Sequence, residues 1–393
     1  MHSSHQNQIS DPSETGVVFQ VFESIKDLPE GSASLFEAAN NFSLSAQWFL
    51  NMVENGLASD SKALFGVLSD SNSVLGIIPL SCSRNSDLCS LTNCYSCVYM
   101  PLIATYAPIR QTSWLLGQAF GKYCSRQAVI YLDCLPSDWP ALESFTAGVE
   151  SVGFCVRRFR QFGNWYEPII GRSWDQYLAS RPSQLRELIR RRGRRVLDCG
   201  LSFESIWVEE DLSAGIASYE TVYRRSWKPP EPFPRFNPEL MRYAARSGML
   251  RLGLCWRGEE PIAAQLWIVG HGRATVMKLA HDQAEKSLSP GTLLTAHMIK
   301  QLIKEGIGEI DFGRGDDPYK RLWARYSRER IGLFVANPRR VHGLTTLIVH
   351  DLGRATLRLR RSNRSQNFGA ALGSLMSRMD QVRACDAVFS HQH

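Results

Sequence analysis

The chain's 393 residues, 44% hydrophobic and 10% aromatic, are enough to bury two cores, and no run of about eighteen apolar residues is present to span a bilayer. The opening Met1-His-Ser-Ser-His-Gln-Asn-Gln8 is polar and lacks the apolar segment of a secretion signal, so the expected location is cytoplasmic. The net charge of +7 sits mostly in residues 336–393, where nine arginines face three aspartates, and the chain before them is close to neutral.

Residues 1–16 read as a disordered lead, followed by a first strand at Val17–Phe22. Helical patterning covers 35–41 and 46–53. Two apolar runs, 63–68 and 73–80, flank Asp70-Ser-Asn72 and predict a hairpin. Helices at 114–124 and 139–152 bracket a strand at 128–132, and a strand at 155–159 closes a first α/β domain spanning 17–170. A second domain, 171–335, opens with helices at 173–179 and 183–198, a strand at 201–206 and helices at 212–224 and 238–247. Three strands (250–256, 261–269, 273–280) joined by Arg257-Gly-Glu-Glu260 and Gly270-His-Gly272 form a meander. A helix at 292–305, a strand at 310–312, a helix at 319–326 and a strand at 331–335 complete it. The match in pattern between Val74–Leu80 and Pro261–Leu266 is what a duplication would leave.

Ten cysteines are scattered along the chain, and only Cys94-Tyr-Ser-Cys97 has metal-like spacing. With no second close pair and no histidine beside it, the expected state is reduced, buried thiols and no metal. Arg181–Arg195 holds seven arginines and one acid, Glu187, a density that suits phosphate binding or a solvated helix face. In the basic tail, 336–393, Leu344, Leu347, Ile348, Leu352 and Ala355 fall at helical spacing. Its readings are a helix docked on its own domain or on a dimer mate, and contact with an anionic membrane at the inner face or with a protein partner. Aromatic residues for stacking nucleic acid are nearly absent there.

The densest polar cluster is Asp311-Phe-Gly-Arg-Gly-Asp-Asp-Pro-Tyr-Lys320-Arg-Leu-Trp323, placed where a strand ends and a helix begins, the position at which α/β folds hold ligands. Ser289-Pro-Gly-Thr-Leu-Leu294 opens a helix with a cap residue, and the N–H groups of Gly291, Thr292 and Leu293 there suit a phosphate or carboxylate. His281 and Asp282, adjacent at a strand end, diverge and cannot form a dyad, so one of them faces the cleft. Arg225-Ser-Trp-Lys228 ends a helix before Pro229-Pro-Glu-Pro-Phe-Pro234, and Trp227 and Lys228 either clamp an acceptor or cap the helix.

The element order, with Arg225-Ser-Trp-Lys228, Leu279-Ala-His-Asp282, Ser289-Pro-Gly-Thr-Leu-Leu294 and Asp311–Lys320, resembles the CelD-like branch of GNAT acetyltransferases, associated with cellulose and exopolysaccharide synthesis. Its layout is similar to that of the FemAB-type tandem GNAT transferases. The resemblance implies an α/β (α+β) fold of tandem GNAT-like domains, each a mixed sheet flanked by helices, and an acyltransferase that takes acyl-CoA, acetyl-CoA foremost, as co-substrate. It implies that Ser289, Gly291, Thr292 and Leu293 hold the CoA pyrophosphate, although Ser-Pro-Gly-Thr replaces the usual glycine-rich loop. Tyr319 matches the place of a general acid. Asp316, Asp311 and His281 are the candidates for orienting or deprotonating an acceptor, with Asp311 alternatively paired to Arg314 or Lys320. Trp227, Lys228, Asp282, Arg314 and Lys320 are candidate substrate contacts, the acceptor being a small molecule or glycan precursor. Two other readings stand: a FemAB-like aminoacyl transferase charged by tRNA, and a non-catalytic scaffold.

Overall fold

A computed structural model describes residues 16–83, 87–194, 196 and 198–362. The expected lead therefore lies outside the described residues up to position 15, and so does the basic tail beyond 362. In chain order the elements are β1 (Val18–Phe22), α1 (Ser32–Glu37), α2 (Ala46–Asn55), β2 (Ser61–Ser69), β3 (Val74–Ser83), β4 (Leu88–Ser90), β5 (Leu102–Ile103), α3 (Ile109–Tyr123), β6 (Val129–Pro136), α4 (Leu142–Glu150) and β7 (Cys155–Pro168). There follow α5 (Trp174–Ala179), α6 (Ser183–Gly193), β8 (Leu201–Ile206), α7 (Leu212–Arg225), α8 (Phe236–Arg246), β9 (Leu250–Arg257), β10 (Glu260–Gly270), β11 (Arg273–His281), α9 (Pro290–Lys304), β12 (Glu309–Arg314), α10 (Lys320–Trp323), β13 (Tyr326–Ala336) and α11 (Val341–Ser362). No helix among the described residues is long and apolar enough to cross a membrane.

Packing groups the chain into two units, one from residues up to 38, 58–160 and 331 onward, the other from 39–57 and 161–330. Two strands run past the apolar runs that predict them. The strand expected to stop at 159 continues as β7 to Pro168, carried by the β-formers Phe162, Trp165 and Tyr166, and its last residues pair with β12. The final strand, expected from 331, starts at Tyr326. Its charged opening is tolerated because Arg328 is paired with Glu309 and Asp311, and Arg330 donates to the Asn164 amide oxygen.

In the first unit β1, β2, β3 and β4 pair antiparallel, and β4 then pairs parallel with β6. The hairpin expected at Asp70 forms, its carboxylate accepting the N–H groups of Asn72 and Ser73. Helices α3 and α4 approach so closely that a Cβ on Gly117 would lie 2.2 Å from the Phe145 carbonyl, and one on Gly148 2.1 Å from that of Trp114. The second unit follows the same order: β8, β9, β10 and β11 form an antiparallel meander, and β11 pairs parallel with β12 after the α9 crossover. Leu294, Met298, Ile299 and Leu302 of α9 bury against Trp267, Val276, Ile310 and Phe312, which fixes α9 on one face of this sheet. The result is a mixed α/β fold whose sheets are flanked by helices.

Candidate active site

The chemistry-bearing residues of the second unit gather where β11 and β12 part. These strands pair at only three positions, Arg273–Glu309, Ala274–Ile310 and Thr275–Asp311. Beyond Thr275, β11 runs on to His281 with β10 as its registered partner. A bulge opposite Leu266 and Trp267 leaves Met277 without a partner, since Trp267 pairs with Val276 and Leu266 with Lys278. That single extra residue reverses the alternation: Val276 packs with the α9 core, while Lys278 comes to lie against Tyr223 of α7, 5.8 Å from its ring.

His281 returns to the α9 side. Its Nδ1 lies 3.4 Å from where a Cβ on Gly291 would stand, so the imidazole is seated at the mouth of α9. Pro290 occupies the first helical position, and among the described residues no hydrogen bond reaches the N–H groups of Gly291 or Thr292. Leu293 differs from expectation: its N–H is spent on the Ser289 carbonyl. Ser289 does stand at the cap but in the left-handed region, φ 56°, and its hydroxyl makes no capping bond. Gln265 and Thr295 both donate to the Gly291 carbonyl, fixing this turn from below.

Trp227 covers His281, their rings 4.6 Å apart, and Lys228 places its amine 5.7 Å from the same indole. Burial, and after it the charge of Lys278, lowers the Lys228 amine to about 7 against the pull of Glu231 and Asp317. Burial likewise holds His281 below the usual histidine value, with Lys228 and Lys286 adding to the effect and Asp282 opposing it. Lys278 is different, because its ammonium is paired with Glu231 at 3.0 Å. Tyr319 packs on the α9 core, and its hydroxyl makes no hydrogen bond with any described residue. Burial and the neighbouring Asp317 carboxylate push this phenol up, so it stays protonated across the physiological range.

The rest of the 311–320 cluster holds the turn together. Asp311 accepts from Asn164 at 2.6 Å, from the Gly313 N–H at 2.7 Å and from Arg328 at 2.6 Å. Burial alone would raise its pKa, but Arg328, Asn164 and the Gly313 N–H outweigh burial and hold it below the usual aspartate value. Its partner is therefore Arg328, not the expected Arg314 or Lys320. Lys320 is buried, its ammonium bonded to the carbonyls of Arg314 and Gly315 and paired with Asp317 at 3.0 Å. Such an amine staples the turn and has no donor left in easy reach of a substrate. Asp316 accepts the Gly163 N–H at 3.0 Å and the Trp165 indole N–H at 3.1 Å, and a Cβ at 163 would lie 2.0 Å from this carboxylate and displace it. Arg314 lies over the Phe162 ring at 4.4 Å. Asp282 caps the turn at Gln283–Leu288 by accepting the Ala284 N–H.

The arginine run divides. Arg181 is buried and donates to Glu167 at 2.9 Å, so it leaves the phosphate-binding set, whereas Arg186, Arg190, Arg191 and Arg194 are exposed along α6 and beyond it. Lys278, Glu231 and Asn164 escaped the sequence reading. The signals were there: a lysine in the apolar run Ala274–Ala280, an acid in a proline-rich loop, and an asparagine among aromatic residues.

No curated protein sequence matches the chain. Among solved structures, the C-terminal domain (DUF2156) of a putative lysylphosphatidylglycerol synthetase from Agrobacterium fabrum superposes with a TM-score of 0.50 at 15% identity, over 76% of this chain and 90% of that one. FemX gives 0.48 at 13% identity, over 74% and 94%, and a tandem GNAT protein from the clavulanic acid biosynthesis pathway gives 0.42 at 11%, over 75% and 96%. The model of the acetyltransferase (GNAT) domain matches residues 183–321, the stretch that contains α9, His281, Trp227, Lys228 and Tyr319. Residues 183–321 are accordingly similar to a GNAT-type acetyltransferase domain.

Proposed function

We propose that the second unit transfers an acyl group, acetyl foremost, from acyl-CoA to an amine or hydroxyl acceptor. The observation that carries this reading is the seating of the His281 imidazole against Gly291, beside two N–H groups at the start of α9 that no described residue bonds. Acyl-CoA supplies an activated thioester, and the N–H groups of Gly291 and Thr292 suit its pyrophosphate through the positive end of the helix. His281, kept neutral by burial, accepts the acceptor's proton at an imidazole nitrogen. Lys228, also neutral in part, lies over the same Trp227 ring and orients or deprotonates the acceptor. Tyr319 supplies a proton to the departing sulfur. The resemblance of the Arg225–Lys228 and Asp311–Lys320 motifs supports an envelope or polysaccharide precursor as acceptor.

Calorimetric titration with acetyl-CoA and longer acyl-CoAs tests the donor, and saturable binding that weakens with added 3′,5′-ADP is expected. Silence with every acyl-CoA would remove the proposal. The exposed arginines of α6 favour a second reading, aminoacyl transfer from tRNA, and release of a labelled amino acid from charged tRNA in the absence of CoA would establish it instead.

The Lys228 amine also sets an expected pH profile. A group lowered to about 7 loses its proton as pH rises through 7, so turnover should climb over that interval. His281, already neutral there, adds nothing to the climb. In Lys228→Arg, which remains charged, the rising limb should vanish and the rate at pH 8 fall by about tenfold. A profile identical to that of the parent enzyme would remove Lys228 from proton transfer.

A further inference from the structure

Helix α11 in the first unit wears its apolar residues on the outside. Val341, Leu344, Ile348 and Leu352 are 83%, 43%, 49% and 58% exposed and recur every three to four residues, forming one outward stripe over roughly three turns. Its inward side is already engaged: Leu347 is buried with Phe334 and Ala336, His350 stacks on Phe334 at 5.0 Å, and Asp351 is paired with Arg157 at 2.9 Å. Gly343 permits this docking, since a Cβ there would lie 2.3 Å from the Asn337 carbonyl. A solvated helix would show charges outward, and this one shows aliphatic side chains.

The charges that flank the stripe along the chain are of one sign. Arg339 and Arg340 precede the helix and line a recess of about 250 Å³ with Ser125 and Asn337. The sequence of α11 then adds Arg354, Arg358, Arg360 and Arg361, and its one acid, Asp351, is neutralised internally. An aliphatic stripe between runs of arginine matches the boundary between lipid headgroups and acyl chains, where the apolar stripe leaves water and guanidinium groups meet phosphates. At 22 residues with this charge load, the helix is not apolar enough to cross a bilayer.

We propose that α11 docks the protein on an anionic membrane surface. The proposal does not depend on the acyl-transfer reading. In flotation assays with the full chain, vesicles of phosphatidylcholine with one quarter phosphatidylglycerol should capture the protein at least about tenfold better than pure phosphatidylcholine, and added salt should weaken capture. Leu344→Ser with Ile348→Ser, both at exposed positions, should reduce capture by about tenfold or more with an unchanged thermal melt. Ile348→Trp should strengthen it. Equal capture by neutral and anionic vesicles, or no effect of the double substitution, overturns the proposal. So does light scattering that shows a dimer which the double variant converts to monomer, because the stripe would then be covered by a second copy.

Discussion

Glu167→Ala is expected to cost roughly 3–5 kcal/mol of folding stability, a large part of what a domain possesses. Its carboxylate is fully buried and receives Arg181 at 2.9 Å, Arg172 at 2.9 Å and Arg325 at 2.8 Å, as well as the Arg325 backbone N–H at 2.9 Å. Arg181 is equally buried and also donates to the Trp323 carbonyl, which the Tyr177 hydroxyl shares. Truncation would strand the Arg181 guanidinium without its counter-charge, and that stranded charge is the main cost. Arg172 and Arg325 reach water and contribute less. Urea denaturation reads the loss, and Arg181→Met combined with Glu167→Ala should restore part of it by removing both charges. A destabilisation below about 1 kcal/mol, the range of exposed pairs such as Arg158–Glu143, would show the cluster to be incidental.

The same carboxylate sets an acid limb. Burial raises its pKa, but the arginine bonds outweigh burial and hold it below the ordinary 4.5. Its contribution is therefore present above that value and lost as pH falls through the lower folded value, so Glu167→Gln should flatten stability loss on acidification.

What the sequence disclosed and what it withheld divide along physical lines. The meander 250–280, α9 and the hairpin at Asp70 were legible because period-two and period-3.6 patterns there coincide with turn residues. The C-terminal part of β7 and the start of β13 were not, since Asn164, Glu167, Arg328 and Arg330 are polar in the sequence and are made compatible with burial only by partners far along the chain. The helix expected over 319–326 is the four-residue α10 for a related reason: Lys320 spends its charge on the preceding turn, and the chain must extend from Tyr326 to form β13. In the candidate site, residue types were legible and side-chain directions were not. Lys278 reaches the α7 side only because Met277 is bulged, and no local pattern announces a bulge. Asp311 and Lys320 looked like chemistry on composition, yet their bonds are with the turn itself and the strands beside it.

Tyr319→Phe should lower kcat by about 10²–10⁴-fold while leaving the KM for acyl-CoA nearly unchanged. The hydroxyl is the only group removed, and it makes no hydrogen bond with any described residue, so the fold loses nothing by its absence. A tyrosine whose value to the protein is packing would show no such loss: its ring carries the packing, and Phe keeps the ring. The phenol stays protonated through neutral pH, so its hydroxyl is present as a donor to the departing sulfur. The loss should therefore be independent of pH between about 6 and 9. It is separable from the Lys228 limb, which moves through about 7. Steady-state kinetics beside a thermal melt give both readings on one preparation. A kcat within about threefold of the parent, in an enzyme shown to be active, would take the acid role away from Tyr319 and leave the thiolate to depart unassisted or to draw its proton from water.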